Sequence, residues 1–278
     1  MGGGLDAARS LAVIQTTTLR WSLADDLAGY ARAGIAGIGL YRPKLEEFEE
    51  DLAIHLVRSS GLAVSSISWV GGLTGSDGWS QDEALFDAGE AIRFAAAVEA
   101  GTVCVVSGGA GSHITRHARR LLCDGLKKLC DIAAQFDVRV SLHPFSAPAA
   151  RRQSVLTSLD ELLEVIAAVG EPQLGLVFDL AELSREQNLL ARIPEVAELI
   201  HVVKLCDRRA RTDWQRQFAD GPVPLTAVAA ALVDAGYDGP FEFDLWSDTG
   251  RPVADYEGLL ACCRGRFESF GLPVSPQP

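Results

Sequence analysis

The chain has 278 residues, 48% of them hydrophobic, and a formal net charge of −12 at neutral pH. This composition supplies enough apolar side chains for a sizeable core, whereas the acidic balance argues against a nucleic-acid partner, which needs clustered cations. The sequence has no run of about eighteen apolar residues and no basic or apolar N-terminal region, so we expect a cytoplasmic protein without a membrane span.

Short apolar runs rich in β-branched residues alternate with longer helical patterns along the chain. This alternation predicts repeated strand–helix units around a parallel sheet. The predicted strands are residues 11–16, 35–41, 62–69, 102–107, 138–143, 174–179, 200–206 and 240–245. The predicted helices are residues 23–33, 44–59, 80–100, 113–136, 158–169, 184–198, 223–235 and 254–270.

Residues at the ends of the helical patterns agree with these boundaries. Three serines are each followed three positions later by an acidic or amide residue, which predicts capping boxes at Ser22, Ser158 and Ser184. Glycines that can end a helix in the left-handed conformation are Gly34, Gly61, Gly101, Gly170 and Gly236. We expect one domain over residues 1–278, with its core at roughly 10–270 and a disordered tail at 273–278.

Eight strand–helix units in a chain of this length predict a closed (β/α)8 TIM barrel. An open dinucleotide-binding sheet would carry G-x-G-x-x-G after an early strand, and the sequence has none there. The glycine-rich residues 107–112 could approach a substrate phosphate or form a tight turn, and we favour the turn. Six cysteines without a C-x-x-C pair predict buried thiols rather than a zinc site.

TIM-barrel enzymes carry their active sites at the carboxyl ends of the strands. Side chains alternate between the faces of a strand, and the outer face must be apolar to meet the helices. The last four predicted strands therefore direct four polar residues towards the barrel axis, namely His143, Asp179, Lys204 and Asp244. Each has a structural explanation alone, as a core histidine, a helix cap or an interior salt bridge, but their convergence favours a site. We expect Glu242, lower in the barrel, to pair with Arg139.

Segments from roughly residue 10 to residue 270 resemble the sugar phosphate isomerase/epimerase branch of the xylose isomerase-like barrels. The resemblance begins at residues 14–18 (IQTTT) and 34–40 (GIAGIGL) and is strongest at 236–244 (GYDGPFEFD). Such enzymes typically hold one divalent metal with Glu, Asp, His and Glu from strands five to eight, and the two glutamates move protons at neighbouring sugar carbons. The resemblance therefore implies a sugar isomerase or epimerase.

Carried over position by position, the resemblance implies an altered metal centre. His143 replaces the first glutamate, Asp179 retains the aspartate, Lys204 replaces the histidine, Asp244 shortens the last glutamate, and Glu182 replaces a further histidine. Because an ammonium is not a metal ligand, we favour a centre without a metal, in which Lys204 is a fixed cation or a base and His143 is a general acid/base. The alternative is one divalent ion (Mn, Mg, Co or Zn) held by His143, Asp179 and Asp244.

Flanking side chains are expected to shape a substrate pocket. They are Gln15, Tyr41, Trp69, His113, Glu182, Arg208, Arg211, Arg216 and Trp246. The clustered arginines suggest a small polyhydroxylated or anionic substrate. We expect proton transfer next to the carbonyl of a sugar, keto-sugar or cyclitol. A metal-free lyase, dehydratase or cyclase and a non-catalytic ligand-binding barrel remain alternatives, and the resemblance also implies a homodimer or homotetramer.

Overall fold

Eight parallel strands pair in chain order and close into a barrel, with the last strand joined to the first. The strands are β1 Leu11–Ile14, β2 Gly37–Tyr41, β3 Ala63–Gly71, β4 Thr102–Val106, β5 Arg139–Leu142, β6 Leu174–Asp179, β7 Ile200–Leu205 and β8 Phe241–Phe243. This computed structural model describes residues 10–76, 78–145, 153–206, 224–245 and 255–272. The predicted TIM barrel is thereby confirmed, while the predicted tail at 273–278 lies outside the described residues.

Helices connect the strands and cover the outside of the barrel. Those in the described ranges are α1 Leu23–Arg32, α2 Arg42–Leu45, α3 Glu50–Ser59, α4 Gln81–Ala97, α5 Thr115–Gln135, α6 Leu159–Val169, α7 Leu180–Leu183, α8 Leu189–Val196, α9 Leu225–Asp234 and α10 Tyr256–Glu268. A 3-10 helix at Ala197–Leu199 follows α8. Over the same ranges, every helix is too short or too polar to cross a bilayer.

Two predicted helices are each divided in the structure. The prediction of one helix at 44–59 is wrong, because a turn in which Phe48 donates its backbone N–H to the carbonyl of Leu45 separates α2 from α3. The predicted helix at 184–198 is also wrong in its first part, since α8 begins only after Asn188, which adopts the left-handed conformation. Ser184 consequently ends α7 and does not form the predicted capping box.

The other predicted helix ends agree more closely with the structure. Ser22 forms a complete capping box with the third residue of α1. Ser158 accepts the backbone N–H of Glu161 at the start of α6, but the Glu161 carboxylate accepts from Thr157, so that box is incomplete. A capping box that the sequence reading did not single out begins α4, at Ser80.

Four of the five predicted helix-ending glycines have a left-handed φ, namely Gly34, Gly61, Gly170 and Gly236. The exception is Gly101, because the left-handed residue after α4 is Glu99, with φ of 56°. Gly101 is needed for a different reason. A Cβ there would lie 2.8 Å from the carbonyl oxygen of Ser65, so only a glycine fits this approach of backbone to backbone.

The two faces of the strands differ sharply in chemistry. Val203, Leu205, Phe241 and Phe243 pack outward into the large core between strands and helices. A separate apolar cluster made of Cys104, Val177 and Val202, with Trp69 against it, lies on the other face, along the barrel axis. The alternation predicted for the last strands is therefore present.

All six cysteines are free thiols. The prediction of buried thiols holds for Cys104, Cys130, Cys206 and Cys263. It is wrong for Cys123, which is half-buried, and for Cys262, which is exposed on α10.

Candidate active site

The four polar residues predicted at the strand ends are fully buried and form two pairs. His143 directly follows β5, and its Nε2 lies 2.8 Å from Oδ2 of Asp179 at the end of β6. Lys204 in β7 places its Nζ 3.3 Å from Oδ2 of Asp244, which follows β8. Asp179 and Lys204 are also register partners on neighbouring strands. The geometry thus brings together all four residues, while their catalytic roles stay a prediction.

The pair of His143 and Asp179 is held in place by further hydrogen bonds to each of its two members. The Nε1–H of Trp69 donates to Nδ1 of His143 over 2.9 Å, so both ring nitrogens of the histidine have partners. The second oxygen of Asp179 accepts the backbone N–H groups of Ala181, at 2.9 Å, and Glu182, at 3.4 Å. Asp179 therefore also caps α7, the structural role considered for it from the sequence.

The ammonium of Lys204 lies among several polar groups inside the barrel. Its Nζ is 3.3 Å from Asp244, 3.7 Å from Oε2 of Glu242 and 3.4 Å from Oγ of Ser68. Burial alone would lower the pKa of Lys204, but the carboxylates of Asp244 and Glu242 outweigh it and raise this pKa above its ordinary value. Of the two roles considered for Lys204, the fixed cation fits this direction and the base does not.

Glu242 lies in β8 two residues before Asp244, as the register partner of Lys204, and contrary to the prediction it does not contact Arg139. Its Oε1 accepts the hydroxyl of Ser65 at 2.6 Å, and its Oε2 faces Lys204. Arg139, the first residue of β5, is exposed and donates to the carbonyl of Gly101 at 3.0 Å. The prediction failed because Arg139 lies at the amino-terminal rim, where its side chain reaches solvent instead of the axis.

A hydroxyl that sequence reasoning missed completes the environment of Asp244. Thr16 donates its Oγ1–H to Oδ1 of Asp244 over 2.9 Å, and it lies just beyond the end of β1. Its place after a strand is a signal of the same kind as that of His143. Ser68, which contacts Lys204, was missed for a different reason, because its strand departs from simple alternation.

Gln15 directly follows β1, and both polar atoms of its side chain are hydrogen-bonded within the protein. Its Nε2 donates to Asp26 at 2.7 Å, and its Oε1 accepts the backbone N–H of Tyr41 at 2.9 Å. Asp26 also accepts from Thr18 and from Lys44, and its burial raises its pKa to about 6. These contacts tie the ends of β1 and β2 to α1, and the predicted contact of Gln15 with substrate stays untested.

The remaining predicted pocket residues fall in three places. The half-buried rings of Tyr41 and Trp69 meet edge to face, with their centroids 5.6 Å apart. His113 lies between β4 and α5 with its ring against His117, and Glu182 is buried in α7. Residues predicted for the pocket that lie outside the described ranges are Arg208, Arg211, Arg216 and Trp246.

Two cavities lined by described residues lie away from these pairs. One, of about 200 Å³, lies between α3 and α4 with Ile67 at its base. The other, of about 220 Å³, is lined by Gly71, Gly72, Trp79, Ala84 and Asp87. Neither is lined by the buried pairs, so the buried chemistry rather than cavity size identifies the candidate site.

The described side chains do not fit the divalent ion that the resemblance implies. Both nitrogens of His143 are already hydrogen-bonded within the protein, and an imidazole nitrogen in such a bond has no lone pair left for a metal. The ammonium of Lys204 stands beside Asp244, where it would repel a cation. Across the described ranges, no three His, Cys, Asp or Glu side chains converge in a metal-binding group.

Comparisons with known proteins agree with the barrel. A family model described as the Xylose isomerase-like TIM barrel matches residues 27–265. L-ribulose-5-phosphate 3-epimerase UlaE of Salmonella paratyphi C (strain RKS4594) is 25% identical over 152 residues, which cover 54% of this chain and 51% of that protein. The match therefore spans about half the length of this curated relative.

Solved structures superpose on nearly the whole chain. Protein SMc04130 from Sinorhizobium meliloti 1021 has a TM-score of 0.82 and 21% identity, covering 94% of this chain and 98% of the other. D-allulose 3-epimerase from Methylomonas sp. has a TM-score of 0.79 and 16% identity, covering 96% and 99%. At these identities the likeness establishes the fold alone.

Proposed function

Because the chain belongs to the xylose isomerase-like TIM barrel family, we propose that it is an isomerase- or epimerase-type enzyme that moves a proton next to a carbonyl. The substrate class is a sugar, keto-sugar or cyclitol. Two similar proteins are named as 3-epimerases of L-ribulose 5-phosphate and D-allulose, which supports a ketose-like substrate for this chain.

The observation that carries the proposal is the buried ammonium of Lys204 at the strand ends, with no exposed surface. Removing a proton next to a carbonyl places negative charge on the carbonyl oxygen. A fixed cation in a site shielded from water stabilises such a charge strongly, and loss of one donor of this kind costs roughly 10²–10³ in rate. In this proposal Lys204 supplies electrostatically what the metal supplies in the enzymes that the sequence resembles.

Asp244 is the proposed proton carrier. It stands where the resemblance puts a proton-moving glutamate, and its carboxylate is positioned by Thr16 on one side and Lys204 on the other. One such group suffices to move a proton between neighbouring carbons. Inversion at a single carbon needs a second proton-carrying group on the opposite face of the substrate.

His143 is not the proton carrier in this proposal. Each ring nitrogen has a single bonding site; Nδ1 accepts from Trp69 and Nε2 contacts Asp179, so a proton transfer to substrate would first have to break one of these bonds. The oxygens of Asp244 are also hydrogen-bonded, but each has a second lone pair that can accept a proton. The saturation of His143 favours a second candidate function, a non-catalytic barrel that binds a polyhydroxylated ligand. In that case the pairs would be interior salt bridges that stabilise the barrel.

Hydrogen–deuterium exchange distinguishes these functions. The protein is incubated in D2O with a panel of ketoses, inososes and keto-glycosides, and deuterium beside the carbonyl is measured by NMR, with thermal shift assays in parallel. We expect exchange with at least one compound, reduced at least about 100-fold in Lys204→Met and Asp244→Asn and retained in the exposed control Lys128→Met.

Other outcomes point to the alternatives. A compound that raises the melting temperature without exchange supports the binding barrel, and a product lighter by one water supports a dehydratase. Exchange that survives in both Lys204→Met and Asp244→Asn would contradict the proposed roles.

A further inference from the structure

Trp69 touches both buried pairs of the candidate site. Its Nε1 is 2.9 Å from Nδ1 of His143, and the two rings are stacked with centroids 6.0 Å apart. The Nζ of Lys204 lies 5.7 Å from the centroid of the same indole ring. One side chain of β3 is therefore in contact with a histidine that follows β5 and with a lysine of β7.

The direction of the hydrogen bond from Trp69 determines where the histidine carries its proton. An indole N–H is a donor only, so Nδ1 of His143 must be the acceptor and must carry no proton. A neutral imidazole then has its proton on Nε2, where it donates to Oδ2 of Asp179 at 2.8 Å. If Nδ1 were protonated, two N–H groups would face each other at hydrogen-bond distance.

We propose that Trp69 is a positioning residue that fixes His143 in the neutral Nε2–H tautomer. The imidazole orients the carboxylate of Asp179 and does not exchange protons with a substrate. The indole face also covers one side of the Lys204 ammonium, and this shields the cation from water. The mechanistic part of this inference rests on the proposed function, whereas the tautomer is a property of the protein alone.

Two substitutions separate the contributions of the indole. Trp69→Phe removes the N–H and retains an aromatic face, whereas Trp69→Leu removes both. The matched control is Trp79→Phe, because Trp79 is 53% exposed and contacts neither pair. His143→Gln identifies the His143 signals, since the chain has five histidines.

The test is a long-range ¹H–¹⁵N spectrum of protein labelled with ¹⁵N-histidine, recorded at pH 7.5 without substrate. In the wild type and in Trp79→Phe we expect the His143 signals of a bare Nδ1 and a protonated Nε2. In Trp69→Phe we expect the Nδ1 signal to move towards the protonated range, as the tautomer with its proton on Nδ1 becomes populated.

A wild-type His143 with a proton on Nδ1 would overturn the inference, and this result does not require either Trp69 variant to fold. A Trp69→Phe spectrum identical to that of the wild type would overturn it as well. Failure of the proposed function is recognised separately, because deuterium exchange can be absent from every sugar while the tautomer is as expected. Where exchange is found, we expect Trp69→Phe to lower kcat at least 10-fold, with KM changing less.

Discussion

Replacing Lys204 with methionine tests whether the buried cation is held by the carboxylates around it. The variant keeps most of the side-chain volume and leaves Asp244 and Glu242 in the barrel without their cation, since their oxygens lie 3.3 and 3.7 Å from Nζ. At an effective dielectric constant of about 20, these distances correspond to gross attractions of roughly 5 and 4.5 kcal/mol. Desolvation of the three ions offsets much of this, and we expect a net destabilisation of about 3–5 kcal/mol.

Urea unfolding at pH 7.5, followed by circular dichroism, measures this loss. The control Lys128→Met removes an exposed lysine of α5 and should stay within about 0.5 kcal/mol of the wild type. In a double-mutant cycle, Asp244→Asn should cost less in the Lys204→Met background than alone, with a coupling of about 1–3 kcal/mol. A Lys204→Met variant within about 1 kcal/mol of the wild type, or strictly additive substitutions, would refute the assignment of a desolvated ion pair.

Three further predictions concern stability. Burial lowers the pKa of His201 from 6.5 to about 4, so the unfolded chain takes up a proton that the folded one does not, and His201 should lower the free energy of unfolding by about 3 kcal/mol between pH 6.5 and 4. Asp26, whose pKa is raised to about 6, acts in the opposite direction over the same range, so the quantity to measure is the difference in unfolding free energy between the wild type and His201→Gln at each pH; a difference that does not change with pH would contradict the lowered pKa. Gly101→Ala should destabilise the barrel by about 1–3 kcal/mol, because the added Cβ would meet the carbonyl oxygen of Ser65. Gly265→Ala, in open space on α10, should stabilise the protein by up to about 1 kcal/mol, and both changes are measured by urea unfolding. Ser80→Ala should cost about 1 kcal/mol through loss of the α4 capping box, and Ser184→Ala close to nothing; equal costs would show that the assigned helix starts are wrong.

The inward-facing residues at the ends of the last four strands were predictable because two simple constraints act there together. Their outward residues, such as Val203 and Phe243, must be apolar to meet the helices, and regular alternation then turns Lys204 and Asp244 to the axis. No bulge intervenes between Lys204 and Asp244, since their strands pair in continuous register up to Leu205 and Phe243. The protonation state of Lys204 was not predictable, because it depends on the separation of Nζ from Glu242, a residue of another strand.

The same reasoning cannot be extended to the third strand, because that strand contains two irregularities. Ile38 and Gly39 of β2 pair with Val64 and Ser66, so Ser65 is an extra residue on β3. On the β4 side, Ile67 pairs with Val103 and Val70 with Val105, so β3 advances by three residues where β4 advances by two. Apolar residues consequently face the helices at every third position, and a rule of strict alternation assigns half of this strand to the wrong face.

Because of this spacing of three, β3 directs more side chains to the barrel axis than a regularly alternating strand of the same length would. Outward-facing Val64, Ile67 and Val70 are separated by two adjacent pairs that point to the axis, Ser65 with Ser66 and Ser68 with Trp69. Ser66 contacts the thiol of Cys104 in the axial cluster. Deleting one residue from this stretch would restore ordinary pairing on one edge and rotate the indole towards the helical layer, away from its imidazole. In protein engineering, the number of residues in β3 should therefore be kept, and the interior should be redesigned by substituting its serines without insertions or deletions.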